Sequence, residues 1–283
     1  MNKHQKRGFT LIEVLIVMVI IAILVAILFP TLAVSRREAL RVSWTDKIRQ
    51  STIGMQLYQI DYDDRFALAR YNPDVEDSRF DRTWVQNVLP YTRDFDLYRC
   101  PVDQTRPQNF ALFDPDITLG DSITRFYLAS MRSNVGFNFV YLSPLYKQGT
   151  WNSRPRSSTD IESISKTILF GESAWEIKDG RPSGGGNYLI IPPCRYEGRN
   201  SIDSFGLYGI PDGDVFRSNL DWEDGKFDSN GGLYPWFSPK VNIAFADGHM
   251  ARVSIDSVRR GCHVGNQWSG AIIDSSNYLW DLR

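Results

Sequence analysis

The chain has 283 residues, a formal net charge of −1 and 42% hydrophobic residues, and 13% of its residues are aromatic. A near-neutral balance gives no footing for nucleic acid or an anionic lipid surface as the main partner, and this apolar and aromatic content excludes a disordered chain. The charge is uneven, however: Lys3, Lys6 and Arg7 stand before a long apolar run in which Glu13 is the only acid, so the N-terminal segment is net basic and the remainder net acidic.

Residues 9–29 read FTLIEVLIVMVIIAILVAILF, with Thr10 and Glu13 the only polar side chains. At about 1.5 Å per residue, such a helix reaches roughly 30 Å, the thickness of a bilayer's hydrocarbon core. The basic residues before it place the N-terminus in the cytoplasm and the bulk of the chain outside. A secretory signal is cut after its apolar region, at small residues, and Ala33-Val34-Ser35 is a poor version of such a site. Neither that reading nor a plain uncleaved anchor explains why Gly8 and Glu13 flank the start of the run. A carboxylate in a membrane helix costs about 2.5–3.5 kcal/mol even on the lenient insertion scale, so a partner is needed. A cut after Gly8 would put a new α-amine on Phe9, one helical turn before Glu13. The two charges can then neutralise each other within a chain or between neighbours, and the acid also favours the positive end of the helix.

The segment Arg7-Gly8-Phe9-Thr10-Leu11-Ile12-Glu13 resembles the cleavage and methylation motif of type IV pilins and type II secretion pseudopilins. The resemblance implies a leader over residues 1–8, cleavage by a prepilin peptidase between Gly8 and Phe9, and methylation of the Phe9 amine. It gives Glu13 the assembly role of the family's glutamate at the fifth mature position. The implied partners are the peptidase, other pilin or pseudopilin subunits, the membrane and a secretion or pilus assembly machinery. The implied location is a single-pass inner membrane protein with an extracytoplasmic head.

Beyond the assembly helix of residues 9–30, the pattern stays helical to about residue 60 and becomes amphipathic. Leu40, Trp44, Ile48, Thr52 and Met55 form a stripe at spacings of three and four, with most basic residues off it. One long helix is therefore expected, loosened at Pro30, with Asp61–Asp64 as its turn. Residues 61–283 then make the head. Arg82–Leu89 reads as a helix or an extended piece closed by Pro90, and Asn134–Leu142 and Thr167–Phe170 read as buried strands. Residues 179–186, DGRPSGGG, read as a flexible loop, and residues 211–232 as a long surface loop. In Val241–Val253, alternation on both sides of Asp247-Gly248 predicts a tight hairpin with a two-residue turn. The expected fold is α+β: a long N-terminal helix, membrane-spanning in its first half, packed by its second half on an antiparallel sheet.

The phrase Phe245-Ala246-Asp247-Gly248-His249 resembles the signature of a prepilin-associated domain, defined by a His, nine residues and Asp-Gly. Tyr98-Arg99-Cys100-Pro101, Gly136-Phe137-Asn138 and Leu169-Phe170-Gly171-Glu172 resemble further phrases of that group. The chain departs from it at the histidine, since Phe237 stands ten residues before Asp247.

Little in the sequence points to catalysis. His249 and His263 lack metal-ligand spacing; a His capping the hairpin and a His packed near Trp268 is the simpler expectation. Glu162 and Glu172 are paired carboxylates only if the fold joins them. No nucleophile elbow or phosphate loop appears, so no enzyme activity is expected. No cofactor is expected either, with calcium the one open case. Asp221, Glu223, Asp224 and Asp228 supply oxygen ligands without EF-hand spacing, and a solvated acidic loop is the alternative. Among Cys100, Cys194 and Cys262, an exported head allows one disulfide and one thiol, with the pairing open. A binding protein on a prepilin-type anchor is the rival reading. Exposed aromatics around a groove, suited to capturing a polysaccharide, would favour it; buried aromatics favour a structural subunit.

Overall fold

The computed structural model describes residues 11–72, 82–106, 127–148, 150–195, 231–237, 239–263 and 270–280. The chain divides into two compact units, Met1–Ser43 and Trp44–Arg283. Helix α1, Leu11–Asp61, contributes to both.

In the first unit α1 carries Glu13 in its first turn, and apolar side chains from Leu11 to Val34 stand exposed. This stretch is long and apolar enough to cross a membrane. The helix was expected to loosen at Pro30 but continues through it. One proline removes a single N–H from the ladder, and the Leu28 carbonyl there also accepts from the Thr31 hydroxyl at 2.8 Å.

The head unit takes in the end of α1, where Trp44, Ile48, Ser51, Thr52, Gly54, Met55, Tyr58 and Gln59 are buried. The expected stripe is thus the packed face from Trp44 to Met55, joined by Ser51, Gly54, Tyr58 and Gln59, while Leu40 stays half-buried outside the head unit. The helix stops where Asp63 and Asp64 take positive φ, 51° and 59°, a conformation that Asp tolerates better than most residues. The Asp64 N–H then closes on the Gln59 carbonyl at 2.9 Å.

Strand β1 (Arg70–Tyr71) pairs antiparallel with β2 (Arg82–Thr83), which runs into helix α2 (Trp84–Thr92). Thr83 starts α2 through a reciprocal cap, its N–H donating to Gln86 Oε1 at 2.6 Å. Pro90 does not close this segment as expected. It lies within the helix, which ends at Arg93 in the left-handed region. At Gly54, α1 approaches α2 so closely that a Cβ there would overlap the Thr92 and Val88 side chains.

The remaining strands follow in order: β3 (Val135–Asn138), β4 (Leu145–Gln148), β5 (Thr150–Ser153), β6 (Ile168–Glu172), β7 (Glu176–Lys178), β8 (Arg181–Ser183), β9 (Leu189–Ile190), β10 (Cys194–Arg195), β11 (Lys240–Phe245), β12 (Met250–Ser254), β13 (Cys262–His263) and β14 (Gly270–Ile272). The main sheet has the order β12-β11-β6-β3-β9. It is antiparallel, as expected, except that β9 joins β3 in parallel. A smaller sheet has the order β10-β14-β13.

Three local expectations are corrected. Asn134–Leu142 is a strand only to Asn138; Phe139–Leu142 is a helical turn. All four of those side chains are buried, and an apolar run without alternation does not specify strand over helix. Residues 179–186 are not a flexible loop: β7 and β8 form a hairpin there, turning on Asp179 and Gly180, both at positive φ. The Asp247-Gly248 hairpin exists, but with three loop residues. Phe245 N–H donates to the His249 carbonyl and Gly248 N–H to the Phe245 carbonyl, each at 2.9 Å. Gly248 alone takes positive φ, the pattern of a type I turn closed by a glycine bulge.

The core sits between the sheet and the two helices. Trp84, fully buried, packs against Phe170, Phe137 and Tyr98 at ring separations of 4.7, 5.9 and 5.5 Å. Its indole N–H donates to the Tyr188 carbonyl at 2.6 Å.

The disulfide joins Cys194 to Cys262, with Cα atoms 5.8 Å apart, and leaves Cys100 as a buried thiol. It ties the two outer strands of the smaller sheet, 68 residues apart in sequence. Closing a loop of that length stabilises by up to about 4 kcal/mol in the chain-entropy model. Replacing both cysteines by Ser should therefore lower the head's stability by about 2–4 kcal/mol, read by urea unfolding of the full chain in detergent micelles. A change under about 0.5 kcal/mol would show that the bridge constrains little.

Candidate functional site

Two regions bear on function. The first is the N-terminal segment. Glu13 stands exposed in the first described turn of α1. The surrounding Leu11, Ile12, Val14 and Leu15 are exposed as well, so the carboxylate lies on an otherwise apolar surface. Gly8 and Phe9 lie outside the described residues.

The second region is the seam where α1 crosses the sheet. Thr45 Oγ1 donates to Asn242 Oδ1 at 3.3 Å, and Gln56 Nε2 donates to the Asp247 carbonyl at 3.1 Å. The helix therefore runs alongside β11 in the same direction. From Thr45 to Gln56 the rise is about 16 Å; Asn242 lies on β11 and Asp247 in the turn that follows it.

Glu172 lies in the middle of this seam, buried. Its Oε1 accepts from the Asn242 amide. The Trp44 indole N–H lies close enough to favour the charged carboxylate, yet neither it nor Glu172 Oε2 makes a hydrogen bond of standard geometry. Burial pushes the Glu172 carboxyl up to about 7, against the pull of Asn242, Trp44 and the more distant Arg252. The expected alternative, a Glu162–Glu172 pair, is not formed: Glu162 is exposed while Glu172 is buried among other partners.

The hairpin tip has a structural part. Asp247 Oδ1 accepts from the His249 backbone N–H at 3.0 Å and faces His249 Nδ1 at 2.6 Å. The His249 ring stacks on Phe245 at 4.3 Å. A Cβ on Gly248 would press on the Gln56 amide. The Asp-Gly-His phrase thus shapes the turn that docks on α1. His263 stands exposed on β13, and Trp268 lies outside the described residues.

The calcium candidates Asp221, Glu223, Asp224 and Asp228 also lie outside the described residues. Among those described, no three His, Cys, Asp or Glu side chains are grouped to hold a metal. Sequence reasoning missed the importance of Asn242. The signal was there: a polar residue between Val241 and Ile243 faces away from them, and here both faces of β11 are buried.

Comparison with known families finds the prokaryotic N-terminal methylation motif over residues 3–29. The N-terminal segment is prepilin-like. The motif takes in the start of an exposed apolar helix long enough to cross a membrane, which supports a membrane-anchored, pilin-like protein. The comparisons with curated proteins and with solved structures found no significant match.

Proposed function

We propose that the chain is a structural subunit of a type II secretion pseudopilus or a type IV pilus-like filament. It would be processed between Gly8 and Phe9 and drawn from the membrane into the filament through α1. The observation that carries this reading is the methylation motif over residues 3–29, which takes in the first part of an exposed apolar helix. A plain anchor needs neither the glycine nor an acid within the apolar run. We place the N-terminus in the cytoplasm and the head outside it. Lys3, Lys6 and Arg7 before the span support this orientation, as does the Cys194–Cys262 disulfide, which belongs to an oxidising compartment.

The aromatic side chains favour a subunit over a ligand-capturing head. Trp44, Trp84, Trp175, Trp236 and Trp280 are all buried, where they pack rather than present a stacking surface. The role is structural rather than enzymatic. The head's Asp-Gly-His turn is read as a variant of the prepilin-associated domain in which the distant histidine is replaced by Phe237.

Intact mass of the membrane-extracted protein tests the reading. Loss of residues 1–8 with one added methyl group is expected. Gly8→Ala should keep the leader and the unmethylated mass, and normal processing of that variant would overturn the cleavage site.

A further inference from the structure

The chain's near-neutral total hides a local concentration of charge just past the apolar run. From Phe9 to Ser35 the sequence has no basic residue; Arg36, Arg37 and Arg41 then follow within two turns of α1. The helix continues unbroken through this stretch, so its rise fixes the distance from the apolar side chains to the guanidinium groups. Apolar side chains stand exposed from Leu11 to Val34, a length of about 36 Å. Centred in a bilayer, this run overfills a hydrocarbon core of about 30 Å and ends within the headgroup layers. Arg36 and Arg37 then lie about 20 Å from the midplane, at headgroup level. The Cα–Cβ bonds of a helix tilt towards its N-terminus, so these long side chains lean back over the membrane surface. Both arginines are exposed, and among the described residues neither forms an ion pair. Glu38, the only acid between Glu13 and Asp46, is taken up by Arg41 Nε at 2.6 Å. That pair leaves Arg36 and Arg37 as the net charge of the segment.

We propose that Arg36 and Arg37 form a lipid-binding collar on α1: their guanidinium groups bind the phosphates of anionic phospholipids in the leaflet at the C-terminal end of the apolar run, and so fix how deep the span sits. The planar guanidinium fork matches a phosphate and is weakly hydrated. The occupant is lipid rather than an acidic face of a second chain because the charge follows directly on the exposed apolar surface. Once that surface lies in a membrane, the phosphate layer is the anionic surface that meets the helix at this height. Each arginine near an anionic leaflet favours binding about fivefold. The collar holds for either orientation of the span, and it rests on the membrane reading of the run, not on filament assembly.

The test places the full chain in vesicles of phosphatidylcholine and phosphatidylglycerol and compares it with the double variant Arg36→Gln, Arg37→Gln. Glutamine and arginine have similar helix propensity and both positions are exposed, so the helix is kept. Electron spin resonance of spin-labelled forms of the two lipids reads which one the protein holds at its surface. The wild type should prefer phosphatidylglycerol severalfold more strongly than the variant does. Lys3, Lys6 and Arg7 are common to both chains, so the difference reads Arg36 and Arg37 alone. It should fade as salt rises from about 0.01 M to about 1 M, where the screening length shrinks to about 3 Å. The double variant Arg36→Lys, Arg37→Lys keeps the charge and should keep most of the preference. Equal preference in the wild type and the glutamine variant would overturn the collar, as would a loss with lysine as large as with glutamine. Flotation with vesicles of phosphatidylcholine alone separates two kinds of failure. A chain that stays out of them would overturn the membrane reading itself, whereas one that floats without lipid preference overturns the collar alone.

Discussion

A Glu13→Leu chain is expected to reach the membrane, lose its leader at Gly8 and then stay out of filaments. The substitution removes a carboxylate that costs about 2.5–3.5 kcal/mol in hydrocarbon, so insertion becomes easier. On the proposed pairing, what it takes away is the partner for the new amine on Phe9, and with it the gain from neutralising two charges as neighbouring helices meet. The amine would then be carried unpaired into an apolar fibre core, which disfavours entry by several kcal/mol. Fractionation into sheared filaments and membrane measures the effect, with mass confirming normal processing. Glu13→Gln serves as the near-isosteric control and should fail in the same way, because charge rather than shape is the requirement. Wild-type entry of either variant into filaments would sink the pairing.

Trp84→Ala should cost about 3–5 kcal/mol, the range for removing a fully buried large aromatic. Trp84 is 0% exposed and fills the space between Phe170, Phe137 and Tyr98. The truncation also strips the Tyr188 carbonyl of its indole donor inside the core, where an unpaired acceptor is costly. Set against a typical total of about 5–15 kcal/mol, this leaves the head close to unfolding at ambient temperature. Urea unfolding followed by tryptophan emission reads the loss. Ile273→Ala, at a position 71% exposed, should change stability by under about 0.5 kcal/mol. A Trp84→Ala loss as small as that of Ile273→Ala would mean that the core is built elsewhere.

Much about this chain is local and is therefore written in its residues. The apolar run from Phe9 to Phe29, the glycine before it and the acid within it mark a segment long enough to cross a membrane with a prepilin-type motif, since composition and spacing along one segment suffice for both. The stripe Trp44-Ile48-Thr52-Met55 shows which face of the spine packs, because a helix repeats every 3.6 residues whatever it meets. The hairpin around Asp247-Gly248 is legible for the same reason, but its turn has three residues rather than two: only then does Val241 face Val253 and Ile243 face Ala251 across the pair, since a one-residue slip would turn one apolar set to the other face.

The tertiary structure decided what depends on partners distant in sequence. Cys194 pairs with Cys262 rather than Cys100 because β10 and β13 flank the same strand, which no spacing reveals. Phe139–Leu142 turns helical and DGRPSGGG becomes half of a hairpin because the surrounding core selects between conformations that local propensity leaves close in energy. Glu172 shows the difference most clearly. In the chain it is a glutamate ending an apolar strand; in the fold it is a buried acid beneath α1, held by Asn242 from a strand 70 residues away. Burial and the choice of neighbours set the behaviour of such a group, and both arise only when the spine and the sheet come together.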